Sequence, residues 1–356
     1  MRTQKSAIMN KVTFYFIVSI TALSLFSCQK DDPPAELTPP RPYADQYKTD
    51  IADIEEYLNT YYFTNPVNNP GKTDDQDITL IKIPEGGTQR SIMSYLNAST
   101  FPKLLIRPVK LHNVDYELYY LVLRQGIGES PCNVDGVFTA YRGDYLSRDA
   151  TTKILSTTKF DENKFPQTFF QFYPSDGIPL SGWSEILPKF KAGTNKINLD
   201  GTVSYNDFGS GVMFLPSGYG YYNRGSSGIP AYAPLVFSFK LYQIQRLDQD
   251  NDGIPSYFED SNTIVDDGKK DNYMYNYINT INYPTPPLES IRYADDTDKD
   301  GIPDFLDSDD DGDNYTTKLE LKKPDGTYHT FETVPSCSGK SLKRYLTSDC
   351  KPPYTN

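Results

Sequence analysis

The sequence predicts an α+β fold in which an antiparallel sheet wraps around one short helix, with a helical N-terminal extension and an acidic repeat tail. The chain of 356 residues contains 29 tyrosines and 19 phenylalanines, and aromatic side chains are enriched in strands. Between residues 113 and 246, short aromatic and β-branched segments alternate with turns rich in Gly and Pro. One short amphipathic segment interrupts them, so this region is expected to form the sheet domain.

The charge of the chain is concentrated in one segment. The formal net charge is −12, and residues 248–313 hold nineteen acidic and four basic side chains, which gives that segment 4 − 19 = −15. The remainder is nearly neutral and has no basic stripe, so nucleic-acid binding is not expected. His112 and His329 are the only histidines, so the sequence supplies a multi-histidine zinc site or a Ser-His-Asp mechanism poorly.

Residues 1–27 are expected to be an export signal. Basic residues precede the apolar run Val12–Phe26, which ends in Leu25-Phe-Ser-Cys28. This ending resembles a bacterial lipobox, although Phe26 is bulkier than usual. A transmembrane anchor is the alternative, but about fifteen apolar residues fall short of the roughly 20 that span a bilayer. The resemblance implies that Cys28 carries a lipid.

Lipidation of this kind implies attachment to the outer membrane in the cell envelope of a Gram-negative bacterium. Gln29-Lys-Asp-Asp32 resembles the surface-export tag of some lipoproteins. A solvated charge run is the alternative reading of this segment, so the membrane face that the protein occupies stays open. Residues 28–43 contain five prolines and are expected to form a stiff tether.

Residues 44–112 are expected to form an N-terminal extension that packs on the sheet domain. Ile51, Ile54, Leu58 and Tyr61 recur at helical spacing and predict an amphipathic helix over residues 45–62. Residues 78–83 alternate between apolar and polar side chains and favour a strand. This part of the chain carries no catalytic constellation.

Strands and one helix are predicted within residues 113–246. The predicted strands are Tyr116–Arg124, Val137–Leu146, Phe160–Phe172 and Leu235–Ile244. Residues 181–190 favour a helix, and Pro188 predicts that this helix is short or kinked. Asp200-Gly201 marks the turn of a hairpin inserted within residues 196–215.

Aromatic motifs follow one another along this domain in a recognisable order. They are Tyr141-Arg-Gly-Asp-Tyr-Leu146, Phe160-Asp161, Phe169-Phe-Gln-Phe172, Gly182-Trp183, Leu215-Pro-Ser-Gly-Tyr-Gly-Tyr221 and Gly228-Ile-Pro-Ala-Tyr-Ala-Pro-Leu-Val-Phe-Ser-Phe239. No single motif is specific, but in this order they resemble the FKBP family of peptidyl-prolyl isomerases. The resemblance implies isomerase activity on proline-containing polypeptide clients, without a cofactor.

The same resemblance implies an aromatic pocket for the proline ring. Its residues would be Tyr141, Phe160, Asp161, Phe170, Leu180, Trp183, Tyr221, Ile229 and Phe237. Trp183 would form the floor, while Tyr221 would donate its hydroxyl and Leu180 its backbone N–H to substrate carbonyls. Asp161 would orient hydrogen bonds at the rim. Pro179 and Tyr222 depart from the family pattern, so the alternative is a catalytically weak binding or chaperone scaffold.

Residues 247–356 are expected to form a tail of calcium-binding repeats. Acidic residues recur at positions 1, 3, 5 and 12 of twelve-position loops, with Gly or Asn at position 6. The expected ligands are Asp248, Asp250, Asp252 and Glu259, then Asp296, Asp298, Asp300 and Asp307, then Asp309, Asp311, Asp313 and Glu320. The spacing resembles thrombospondin type 3-like repeats of bacterial surface proteins and implies structural Ca²⁺. A solvated acidic linker is the alternative, and residues 261–295 are predicted to be loop.

The remaining cysteines have separate expected roles. Cys337 and Cys350 lie close in sequence and are expected to form a local disulfide in an oxidising compartment. Cys132 is then left over and is expected to be buried.

Overall fold

The computed structural model of the protein describes residues 39–173, 181–226, 228–259, 265–266, 269–270 and 296–354. The predicted export signal, Cys28, most of the tether and most of the predicted loop 261–295 lie outside the described residues. Two short strands within that loop, β12 (Val265–Asp266) and β13 (Lys269–Lys270), pair with each other. Within the described part of the chain, no helix combines the length and the apolar character needed to cross a membrane.

The N-terminal extension begins with helix α1 (Tyr43–Thr60), where the sequence predicts a helix over residues 45–62. Ile54 and Leu58 of this helix are buried as expected, Ile51 is partly buried, and Tyr57 is buried as well. The chain then forms strand β1 (Tyr61–Phe63), which pairs antiparallel with residues 80–82. Strand β2 (Leu80–Lys82) lies within the predicted strand 78–83.

The main sheet is antiparallel and has seven strands among the described residues. Its strands are β3 (Lys103–Leu111), β4 (Val114–Arg124), β5 (Gly136–Arg148), β6 (Leu155–Asn163), β7 (Phe170–Gln171), β10 (Gly209–Leu215) and β11 (Leu235–Gln245). They are ordered β3-β4-β10-β11-β5-β6, and β7 pairs with β5. The α+β class expected from the sequence is therefore confirmed.

Two strands of this sheet were not foreseen. Strand β3 pairs with β4 along its whole length, so the sheet begins at Lys103, inside the predicted extension. Strand β10 lies in the region predicted to hold only an inserted hairpin, yet all of its residues are buried. The hairpin itself is present beside it as β8 (Thr194–Ile197) and β9 (Val203–Asn206).

The predicted helix over residues 181–190 is shortened by its proline. Helix α2 (Ser181–Ile186) passes into a 3-10 turn at Leu187–Lys189, which contains Pro188. Gly182 allows α2 to approach β10 closely, because a Cβ on Gly182 would lie 2.5 Å from a methyl of Leu215. The helix therefore presses its apolar face directly onto the sheet.

Helices cover both faces of the main sheet. Trp183, Ile186 and Leu187 join one core on the face that α2 covers. Ile54, Tyr57 and Leu58 of α1 join a second core on the opposite face. The sheet thus forms the middle of three layers, with the N-terminal extension on one side and the short helix on the other.

The described tail folds back onto the sheet domain. Its short helices are α3 (Ser256–Glu259) and α4 (Thr317–Glu320), and 3-10 turns form at Asp304–Leu306 and Arg344–Leu346. Phe305 packs in one buried cluster with Cys132 and Val134, which precede β5. Cys337 and Cys350 form the expected disulfide, and Cys132 is free and buried. The described residues from 41 to 354 accordingly belong to one compact unit.

Candidate functional site

The candidate site is an aromatic cluster around Trp183, the only tryptophan of the chain, where the proline pocket is expected. The rings of Tyr141 and Phe237 both lie 5.2 Å from the Trp183 ring between centroids, in edge-to-face geometry. Phe170 lies 6.2 Å from the same ring, and Phe160 lies 5.6 Å from Phe237. Edge-to-face packing places the positive edge of one ring against the negative face of the next, so the arrangement is specific as well as apolar.

Neighbouring strands bring these side chains together. Phe237 on β11 lies opposite Gly143 on β5, and Gly143 lies opposite Asp161 on β6. Residues two apart on a strand share a face, so Tyr141 points to the same side as position 143. A Cβ on Gly143 would lie 2.5 Å from Phe160 and 2.8 Å from Phe237. Because Gly143 has no side chain, the rings of Phe160 and Phe237 can occupy the space beside it.

The side chains of the aromatic cluster become more exposed from its base to its edge. Trp183, Phe237 and Ile229 are only 1%, 2% and 6% exposed. Tyr141, Phe160, Phe170 and Tyr221 are partly buried and pack against them. Asp161 is exposed. The aromatic cluster thus has a buried base, partly buried sides and one exposed carboxylate at its edge.

A short hydrogen bond fixes this carboxylate. The Tyr141 hydroxyl donates to Oδ2 of Asp161 over 2.5 Å, and the backbone N–H of Glu162 donates to Oδ1 over 2.8 Å. Burial raises the pKa of Tyr141, and the hydrogen bond to Asp161 raises it further. The phenol therefore stays protonated at neutral pH and can act as a donor.

Tyr221 approaches the pocket from a loop that the N-terminal extension supports. The loop turns through a 3-10 helix at Ser217–Tyr219. Asp50 of α1 accepts hydrogen bonds from Ser217, over 2.8 Å from the backbone N–H and 2.6 Å from the hydroxyl. Burial raises the pKa of Tyr221, which keeps its hydroxyl protonated. Sequence reasoning missed Asp50, and an acidic residue on the buried side of a helix was the available signal.

The residues that depart from the family pattern fall in two places. Tyr222 turns away from the pocket, since its ring stacks on Tyr43 of α1 at 4.0 Å and its hydroxyl donates to the backbone carbonyl of Arg41. Leu180 and Pro179 lie outside the described residues.

Acidic side chains of the tail gather into three groups among the described residues. Within each group, one oxygen per residue lies within 4.8 Å of the others. The groups are Asp250, Asp252, Glu259 and Asp310, then Asp296, Asp298 and Asp300, then Asp309, Asp311 and Asp313. All of these ligand atoms are carboxylate oxygens, the ligand type that hard divalent cations prefer. Asp310 did not figure among the expected ligands.

Three of the expected ligands lie outside these groups and make other contacts. Asp248 accepts hydrogen bonds from the backbone N–H groups of Asn251 and Gly253. Asp307 accepts from the backbone N–H of Asp309. Glu320 is buried and accepts from the Tyr354 hydroxyl. These three carboxylates therefore hold loop backbone or tail side chains in place.

Comparisons with known proteins give partial matches. The family model described as BamM C-terminal matches residues 249–344. No curated protein matches the chain.

Solved structures match the chain at low similarity. A peptidyl-prolyl cis-trans isomerase from Pseudomonas syringae pv. tomato has 19% identity and a TM-score of 0.27, and the match covers 45% of this chain and 99% of that chain. FkpA from Escherichia coli has 23% identity and a TM-score of 0.23, and the match covers 36% of this chain and 48% of that chain. Similarity at this level assigns neither fold nor activity to the chain.

Proposed function

We propose that this protein is a peptidyl-prolyl cis-trans isomerase of the FKBP type that acts on proline-containing polypeptide clients in the cell envelope. The observation that carries the proposal is the edge-to-face aromatic cluster around Trp183. An apolar aromatic surface suits a rigid proline ring, and the hydrogen-bonded Tyr141–Asp161 pair at its edge is proposed to contact the polar backbone of a bound peptide.

Such a pocket supplies what prolyl isomerisation needs. The barrier of about 18–20 kcal/mol comes from amide resonance, which holds the peptide bond planar. Twisting the bond breaks the resonance and leaves the amide less polar. An apolar pocket therefore binds the twisted amide better than the planar one, which lowers the barrier without a nucleophile, a metal or a general base.

The polar residues of the site have separate roles in this mechanism. The Tyr221 hydroxyl donates to a substrate carbonyl, and the backbone N–H of Leu180 is proposed to donate to another. The Tyr141 hydroxyl holds Asp161 at the edge, so that the carboxylate can accept a hydrogen bond from the peptide. These contacts fix the peptide while the prolyl bond turns.

The test is prolyl exchange in an Ala-Leu-Pro-Phe peptide, followed with the full chain and with Tyr→Phe variants. Tyr221→Phe removes one hydrogen bond worth about 1 kcal/mol, so kcat/KM should fall about fivefold. Tyr205→Phe is the matched control, because Tyr205 stacks on Tyr242 away from the pocket. If the wild-type chain does not accelerate exchange, the enzyme proposal fails and the binding or chaperone scaffold remains.

A lipid anchor and structural calcium belong to the same proposal. The lipobox-like segment supports acylation of Cys28 and attachment to the outer membrane. Labelled fatty acid should be incorporated into the wild-type protein and not into Cys28→Ser; equal labelling of both would contradict the anchor. In the tail, Ca²⁺ is proposed to stabilise structure without taking part in catalysis.

A further inference from the structure

One acidic group of the tail combines two distant segments of the chain. Asp250, Asp252 and Glu259 come from the loop that follows β11, the last strand of the main sheet. Asp310 comes from the tail segment that begins at residue 296. The twelve-position spacing pairs the first three residues with Asp248, all within one loop. The structure instead brings Asp310 to them. Its neighbours in sequence, Asp309 and Asp311, belong to a different group.

Six of the eight carboxylate oxygens of this group are buried and lack a hydrogen-bond partner. Asp252, Glu259 and Asp310 are 2%, 5% and 1% exposed. Neither carboxylate oxygen of Glu259 or of Asp310 has a hydrogen-bond partner, and the same holds for Oδ2 of Asp250 and of Asp252. A buried charge without a partner is strongly unfavourable, and here unpartnered oxygens of four carboxyl groups lie together. A cation bound between these oxygens would offset this cost.

The surrounding backbone orients the free oxygens. The N–H of Asp252 donates to Oδ1 of Asp250 over 3.2 Å, and the N–H of Ile254 donates to Oδ1 of Asp252 over 2.7 Å. Gly253 follows the turn with φ of 107°, a conformation that other residues rarely adopt. One oxygen of Asp250 and one of Asp252 are thus held by the loop, and the other oxygen of each remains available to a ligand.

The chemistry of the group selects the cation. It contains no histidine or cysteine, so zinc is disfavoured. Calcium takes six to eight oxygens at about 2.3–2.6 Å, so oxygens on opposite sides of the ion are about 5 Å apart. The ligand atoms of the group, which lie within 4.8 Å of one another, are close enough together to share one such ion. Magnesium demands a strict octahedron and keeps its water, which suits this crowded all-carboxylate group less well.

We propose that one Ca²⁺ binds Asp250, Asp252, Glu259 and Asp310 together and thereby ties the loop after the main sheet to the distant tail segment. The consequence extends to the sheet domain, because Phe305 of the same tail segment packs against Cys132 and Val134. The ion acts as a clamp between parts of the fold and not as the centre of a single loop.

The test is calcium binding to the full chain after treatment with chelator, measured by calorimetric titration. Asp310→Asn and Asp252→Asn should each weaken the same binding event at least tenfold, because each removes one ligand of one ion. Asp325→Asn is the matched control, since Asp325 is an exposed tail carboxylate whose Oδ1 accepts from Thr327. It should leave the titration unchanged.

Hydrogen exchange of the wild-type chain gives a second test that needs no variant to fold. Calcium should protect Ser256–Glu259 and the backbone at Asp310 with one midpoint. The clamp is wrong if the two segments gain protection at separate calcium concentrations, or if the wild type binds no calcium at millimolar concentration. It is also wrong if Asp310→Asn binds as tightly as the wild type while Asp252→Asn does not.

Discussion

Asp50 shows how one residue of the N-terminal extension can act on the site. Its carboxylate accepts hydrogen bonds from Ser217 and from Gln46, and it is 1% exposed. Burial raises the pKa of Asp50 to about 6, although these hydrogen bonds oppose the shift. The residue thus holds the loop that leads to Tyr221, but it does so with a carboxyl group that resists ionisation.

This raised pKa gives a pH dependence with a definite sign. In the unfolded chain the same carboxyl has a pKa of about 4. Between pH 4 and 6 the folded state therefore binds the proton more strongly than the unfolded state, so the contribution of Asp50 to stability falls as pH rises. We expect the stability of the wild type relative to Asp50→Asn to fall by on the order of 1 kcal/mol from pH 5 to pH 7.

Urea unfolding followed by Trp183 emission measures this difference. Asp45→Asn serves as the control, because Asp45 lies on the same helix but is exposed. A relative stability of wild type and Asp50→Asn that is the same at both pH values would show that Asp50 is not protonated on folding.

The elements that could be predicted are those whose pattern does not depend on distant contacts. Helix α1 follows from apolar residues at helical spacing, and β5 and β11 follow from aromatic and β-branched runs. Strand β3 was missed because Pro108 lies within it and predicts a break, which an edge strand tolerates.

Strand β10 was missed for a tertiary reason. Glycine weakens strand propensity, and β10 begins Gly-Ser-Gly. Yet a Cβ on Gly211 would lie 2.7 Å from the Phe190 ring, so the glycine is required by a side chain from another element. The order of the aromatic motifs likewise predicted the rings of the site. The roles of Gly143 and Asp50 depend on residues distant in sequence, namely Phe237 for Gly143 and Ser217 for Asp50, and so could not be predicted.

A buried ion pair joins two of these elements. Nε of Arg107 on β3 lies 3.0 Å from Oε2 of Glu185 on α2, and the side chains are 5% and 4% exposed. Removing one partner leaves the other charge buried, so Arg107→Met and Glu185→Met should each destabilise the fold by about 3–5 kcal/mol.

The double variant should be less destabilised than the sum of the two single variants, because it leaves neither charge behind. Urea unfolding of the wild type, both single variants and the double variant gives the coupling free energy. Additivity within about 0.5 kcal/mol would mean that the pair does not couple β3 to α2.

At the scale of the whole molecule, the sheet domain is packed from three directions. Helix α1 covers one face, α2 covers the other, and the tail inserts Phe305 beside Cys132 and Val134. Gln249 adds hydrogen bonds over 2.9 Å to the backbone carbonyls of Val134 and Tyr173. The tail is therefore expected to unfold together with the sheet and not as a separate spacer.

Phe305→Ala tests this cooperativity, with Trp183 as the reporter of the sheet domain. Phe305 is 0% exposed, so its truncation should cost about 3–5 kcal/mol. In a cooperative unit of this size, that loss should lower the midpoint of the Trp183 thermal transition by roughly 10 °C. Leu342→Ala is the control in the tail, because Leu342 is 55% exposed and should leave the midpoint unchanged. A Trp183 midpoint that Phe305→Ala does not move would mean that the sheet folds independently of the tail.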